Sequence, residues 1–257
     1  MNSTARLGVQ LYTLRDLMAE DVGATLELVA AIGFREVEFA GYFGHAPVQM
    51  RGLLDAAGLS APAAHIGIQN FREGAAEQIE HAVAMGHQYV VVPWLAEDER
   101  TLDDYRRHSD EFNRWGEQCA AAGIQFAYHN HDFEFEETDG KIPYDLLLAE
   151  TDPELVKMEL DLAWTHAGNA DAVGYFEKWP GRFPMVHLKD FEPGTGETDI
   201  GTGGVEFDRI LAEAALAGLR HGFVERDHPE DAETAIRKNF DAIMPTWSRH
   251  LRRATAT

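Results

Sequence analysis

Tyr128-His129-Asn130-His131-Asp132 sets two histidines two residues apart, directly behind the β-type run Ile124-Gln125-Phe126-Ala127. Three later stretches repeat the theme: Glu159-Leu160-Asp161, His187-Leu188-Lys189-Asp190 and Glu225-Arg226-Asp227. Residues two apart on a strand share a face, which pairs His129 with His131, Glu159 with Asp161 and His187 with Lys189. Imidazole nitrogens and carboxylate oxygens converging from neighbouring strands make a mixed N/O donor set. Such a set suits one divalent cation (Mn, Co, Fe, Zn or Mg) and is not a soft thiolate site. No HExxH or paired CxxC motif is present, so the reading rests on where these residues sit on a common scaffold. Earlier β-type runs carry Glu38, or end at His65 and Trp94. Burying such groups unpaired is costly, so their collection at one end of a sheet is not a packing device.

The elements that position them recur along the chain. Five times a helical pattern stops at small residues and a glycine, at Gly33, Gly58, Gly86, Gly123 and Gly218, and a β-type run follows. Glycine suits a helix end because the residue after the last turn often adopts a positive φ. Three further strands are read at Leu7–Tyr12, Val156–Leu162 and Phe183–Leu188. Eight strands, each followed by a helical segment, predict an α/β fold with a parallel sheet. A single closed (β/α)8 TIM barrel over residues 1–257 fits best, since such barrels take about 250 residues. A doubly wound open sheet is the second reading, weakened by the lack of a glycine-rich loop after the first strand. In a barrel the active site lies at the C-terminal ends of the strands, which is where the polar clusters fall, while the strand starts read as apolar or neutral.

The formal charge of −22 repels phosphate backbones and anionic lipid, which argues against nucleic acid or a membrane as partner. No stretch approaches the roughly 18 uninterrupted apolar residues of a membrane span, and no apolar run behind Met1–Arg6 resembles a signal peptide. Cys119 is the single cysteine, so no intrachain disulfide forms and the cytoplasm is the expected compartment. Homo-oligomerisation stays open.

The segments Gly8-Val9-Gln10-Leu11-Tyr12, Val37-Glu38-Phe39, Tyr128 to Phe135, Leu160-Asp161, His187-Leu188-Lys189-Asp190 and Ile200-Gly201-Thr202-Gly203 with Phe207 extend across essentially the whole chain. In them the chain resembles the sugar phosphate isomerase/epimerase family. These are xylose isomerase-like barrels that also include ketose 3-epimerases, inosose dehydratases and endonuclease IV. In the family's epimerases Glu, Asp, His and Glu from strands 5 to 8 hold the metal. The resemblance places the last three on Asp161, His187 and Glu225. At the first position, six residues after Gly123, stands His129. That exchange removes one negative charge and one carboxylate base from the two-glutamate mechanism. It agrees better with the inosose dehydratase-like branch, which resembles this chain in its Tyr-His-x-His strand. Ligation by His131, with His129 supporting it, is the other arrangement.

The resemblance implies a metal-dependent isomerase or epimerase acting on a keto-sugar or polyol-derived small molecule, through proton abstraction next to a carbonyl and an enediolate. Glu225 or His131 is the expected base. Lys189 polarises a carbonyl or shuttles a proton, or else forms a buried ion pair with Glu159 or Asp190. Glu38 and His65 are expected on substrate hydroxyls, and Trp94 and Trp164 against a sugar ring or packed at the rim. Glu134 is read as a solvated loop acid, and Gly201 and Gly203 as a tight loop. His45, His81, His87, His108, His166, His221, His228 and His250 are read as surface or helix residues. Loss of a β-hydroxyl from the same intermediate would make a dehydratase. An endonuclease would need more ligands and a basic face, and a non-catalytic sugar-binding barrel would lack the metal.

Overall fold

The computed structural model describes residues 6–254; residues 1–5, most of the stretch read for a leader, lie outside them. Eight parallel strands close into a barrel: β1 (Gly8–Gln10), β2 (Glu36–Ala40), β3 (Ser60–His65), β4 (Tyr89–Val92), β5 (Gln125–His129), β6 (Val156–Asp161), β7 (Met185–Leu188) and, after a small hairpin, β10 (His221–Val224). The order around the ring is β1-β10-β7-β6-β5-β4-β3-β2, so each strand neighbours the next in the chain and β10 pairs with β1. The hairpin, β8 (Asp190–Glu192) and β9 (Gly196–Thr198), is antiparallel and lies outside the barrel sheet. Helices such as 68–85 and 102–121 return the chain between strands, and helix 232–254 follows the last one. No helix among the described residues is long and apolar enough to cross a membrane.

All five glycines read as helix stops adopt positive φ, from +69° at Gly58 to +128° at Gly33. Thr101 starts the long helix 102–121 with a reciprocal cap. Its hydroxyl accepts from Asp104 N (3.2 Å), and Asp104 Oδ2 accepts from Thr101 N (3.0 Å).

Alternation along the strands sorts the barrel interior into layers. Ala63, Val91, Ala127, Met185 and Phe223 form an apolar plug separate from the larger core between strands and helices. Gly8 leaves room for this plug, because a Cβ there would collide with the Phe223 ring. One step further along each strand the inward positions are His65, His129, Asp161 and His187, with Glu225 just past β10. The strand starts depart from expectation at one place. Glu36, opening β2, and His221, opening β10, are both buried and pair across 2.7 Å at the opposite end of the barrel. The two residues compensate each other there, which no apolar start would require.

Candidate metal centre at the barrel mouth

Four strands deliver one ligand atom each to a common point. His129 ends β5, Asp161 ends β6, His187 lies in β7 opposite Asp161, and Glu225 directly follows β10. Their ligand atoms all lie within 4.8 Å of one another. His129 Nε2 is 3.1 Å from His187 Nδ1 and 3.5 Å from Asp161 Oδ2. His187 Nδ1 is 2.9 Å from Glu225 Oε2 and 3.7 Å from Asp161 Oδ2. Ligands about 2.0–2.1 Å from a tetrahedral cation stand roughly 3.3 Å apart, so these spacings fit a metal ion.

Two further observations agree with a cation there. Asp161 Oδ2 is buried without a hydrogen-bond partner, although its sister Oδ1 accepts from Trp164 N (2.9 Å) and caps helix 162–167. His129 Nδ1 donates to the Pro93 carbonyl at 3.3 Å, which leaves the Nε2 lone pair facing the group. His131, the other candidate ligand, stands outside this group.

Burial opposes every charge in the cluster, and the partners overcome it. Burial alone would raise Asp161, but Lys189 and the nearby imidazoles of His129 and His187 hold it well below the usual carboxylate range. Glu225 is likewise held low against burial by Lys189 and His187. His187 is held well above the usual imidazole value, against burial, by Glu159 and Glu225. Without a cation the ring itself becomes the counter-charge. Lys189 stays an ammonium because three carboxylates surround it: Glu225 at 2.7 Å, Asp227 at 3.0 Å and Asp161 at 3.3 Å. These replace the Glu159 and Asp190 partners considered from sequence.

A cavity of about 570 Å³ opens above the group, lined by Tyr12, Tyr42, His65, Trp94, His131 and Lys189 among others, and by Glu225 itself. That size suits a small-molecule site. Trp94 is 47% exposed and Tyr12 39%, so two aromatic rings stand at the rim, with Arg100 over the first and Arg15 over the second. His131 is pressed between Phe133 and Trp164; burial and the nearby His129 lower it to about 3, and its Nδ1 has no partner.

Residues 26–246 match the profile of the xylose isomerase-like TIM barrel family. The chain belongs to that family. Within it, an inosose dehydratase of Geobacillus kaustophilus (strain HTA426) is 26% identical over 192 residues, 64% of this chain and 60% of the relative, so the match spans less than two thirds of that protein. A crystal structure of a sugar phosphate isomerase/epimerase from Parabacteroides distasonis ATCC 8503 superposes with a TM-score of 0.83 at 26% identity, covering 93% of this chain and 98% of the other. The IOLI protein, solved with a zinc atom, shares the fold at 17% identity with a TM-score of 0.76, over 95% and 99% of the two chains.

Several residues stand elsewhere in this xylose isomerase-like barrel than their sequence suggests. Glu38, expected at substrate hydroxyls, is fully buried below the cavity and bonded to Gln10 and His187. Trp164 is half-buried against Lys189, whose Nζ lies 5.2 Å from the ring centre. Glu134 is no solvated acid: it is fully buried, accepts from the Tyr128 hydroxyl and from His131 N, and burial pushes it up to about 7. Asp227, quoted in its stretch without a role, and His228, read as a surface or helix residue, both line the cavity. Asp227 repeats the two-residue spacing after Glu225 that was used elsewhere. The glycine loop after β7 is folded onto Asp190, whose carboxylate accepts from the backbone N–H of Gly201, Gly203 and Val205.

Among the histidines assigned to surfaces or helices, His87, His108 and His221 are buried. His87 braces the cavity wall: its Nδ1 donates to the Ala61 carbonyl (2.7 Å) and its Nε2 accepts from the Tyr42 hydroxyl (3.1 Å). Burial lowers it from 6.5 to about 4. Between those values the unfolded chain binds the proton and the folded chain does not. The contribution of His87 to stability is therefore expected to fall as pH drops from about 6.5 towards about 4 and to level off below. Urea unfolding of His87→Gln across this range should lose less stability on acidification than wild type; an equal loss would place its origin elsewhere.

Proposed function

We propose that this chain is a divalent-metal-dependent isomerase or epimerase that removes a proton from the carbon beside a carbonyl in a keto-sugar or polyol-derived small molecule. The carrying observation is the convergence of His129, Asp161, His187 and Glu225 on one point beneath an aromatic-rimmed cavity. In this reading those four side chains hold one Mn, Co, Fe, Zn or Mg ion. When bound, the cation supplies Lewis-acid stabilisation of the oxyanion that forms as the proton leaves.

The chain's own groups carry the proton. His131 is neutral, lines the cavity and keeps an unpartnered Nδ1, which makes it the base free to accept from substrate. Glu225 is the other candidate, though it is held by Lys189 and His187. Lys189 is the acid at the mouth, and it is already neutralised by three carboxylates. Lys189, the cation among the described lining residues, is thus already matched by carboxylates, which supports an uncharged substrate over a phosphorylated one. Tyr12 and Trp94 stand at the rim where a ring would bind, and His65 presents a polar edge there. The single cysteine, Cys119, is buried and agrees with a reducing compartment such as the cytosol.

A second reading, a dehydratase, is favoured by the relative named inosose dehydratase and by the histidine at position 129. Here the proton of Lys189 would leave with a β-hydroxyl. Metal-loaded protein incubated with keto-sugars and inososes in D₂O separates the two. Substrate-mass products carrying carbon-bound deuterium are expected for an isomerase or epimerase, and products lacking one water for a dehydratase. Neither outcome across the panel would sink both.

A further inference from the structure

Below the four converging side chains lies a second cluster at the far edge of the His187 ring. His187 turns Nδ1 towards His129, Asp161 and Glu225, and Nε2 towards Glu38 Oε2 at 2.8 Å and Glu159 Oε2 at 3.3 Å. The same Glu159 oxygen is engaged more closely by His65 Nε2, at 2.8 Å. Glu38 is therefore the acceptor best placed for the Nε2 proton. It is itself fixed: Gln10 Nε2 donates to the same oxygen at 2.9 Å, and Gln10 Oε1 accepts from Tyr12 N at 3.0 Å. Gln10 and Glu38 face each other in the register of β1 and β2, and neither is exposed.

A neutral imidazole offers one lone pair, and the acceptor of its single N–H decides which nitrogen offers it. We propose that Glu38 is a positioning residue. By accepting the Nε2 proton of His187, it holds the ring in the tautomer and orientation that aim the Nδ1 lone pair at the metal. His129 uses the same device with the Pro93 carbonyl at its Nδ1. Burial and the neighbouring Glu159 push Glu38 up to about 8, against the hydrogen bond of His187; a cation at Nδ1 favours the ionised form, and that carboxylate would increase the electron donation of the ring. This role rests on the metal site proposed above. It also explains why an acid sits below the cavity, where no substrate reaches.

The test is a Co²⁺ titration of metal-free wild type, Glu38→Gln and Glu38→Ala, followed by visible absorption, with circular dichroism as the check on folding. Nitrogen-15 NMR of the His187 ring in the Zn²⁺-loaded protein reports the tautomer. Wild type is expected to take one equivalent and to carry its proton on Nε2. Glu38→Ala should bind about 10–100-fold more weakly. The near-isosteric Glu38→Gln, whose amide can present either a donor or an acceptor, should show a mixed or reversed ring tautomer. Affinity within about threefold of wild type in both variants, with the tautomer unchanged, overturns this role alone. Two equivalents in wild type, one of them lost in Glu38→Ala, also overturn it, because Glu38, His65, Glu159 and His187 are close enough to form a ligand set of their own. No uptake by wild type overturns the metal site and this role together.

Discussion

Asp161→Asn is expected to fold normally and to lose bound metal and turnover together. The two oxygens of Asp161 divide their work: Oδ1 accepts from Trp164 N and starts helix 162–167, while Oδ2 faces the ligand group without a hydrogen bond, with Lys189 Nζ 3.3 Å away. An asparagine keeps an acceptor for the cap and replaces the free oxygen with an amide, which does not ligate a hard cation well. The substitution also removes one of the charges that hold Lys189. A Lewis acid contributes several kcal/mol of transition-state stabilisation, so kcat/KM should fall by about 10³-fold or more. Circular dichroism of the metal-free forms should stay close to wild type, while thermal unfolding should move to lower temperature because Lys189 loses one buried counter-charge. A variant that keeps its metal and activity would remove Asp161 from the site.

The second large effect is on stability. Lys189 is almost wholly buried and is the one ammonium among Asp161, Glu225 and Asp227. Lys189→Met keeps most of the side-chain volume and deletes the charge, leaving three carboxylates facing one another. Breaking a buried charge cluster from one side costs about 3–5 kcal/mol, and that loss is expected in urea unfolding of the metal-free protein near neutral pH. Added metal should recover part of it, because a cation binding the folded state restores the missing charge. Turnover should stay depressed even with metal, since the mouth has lost its acid. A metal-free Lys189→Met as stable as wild type would mean that these carboxylates are not ionised together.

That His and carboxylate side chains from strands 5 to 8 share one end of the barrel was legible in the sequence, because strand alternation and the rule that barrel sites lie at strand C-termini both act locally. The particular set of Asp161, His187 and Glu225 came from the family resemblance, and counting within a strand left His129 and His131 as alternatives on one face. Depth was not legible. Glu38 was expected at substrate hydroxyls, but whether a strand residue reaches the cavity depends on the stagger of all eight strands around the ring. Glu134 was misread because a single 3-10 turn at Phe133–Phe135 folds it back under Tyr128, and no periodicity announces so short an element. The pairing of Glu36 with His221 joins residues 185 apart through closure of the barrel between β10 and β1. The hairpin of β8 and β9 has strands of three residues each, too short for alternation to show.

The most direct measurement is elemental analysis of wild-type protein, as purified and after stripping with chelator and reconstitution. About one Mn, Co, Fe, Zn or Mg ion per chain, removed by chelator and restored in step with proton exchange from a keto-sugar in D₂O, is the expected result. Protein that binds no metal even on reconstitution, or that exchanges the proton equally well without it, would contradict the proposed enzyme.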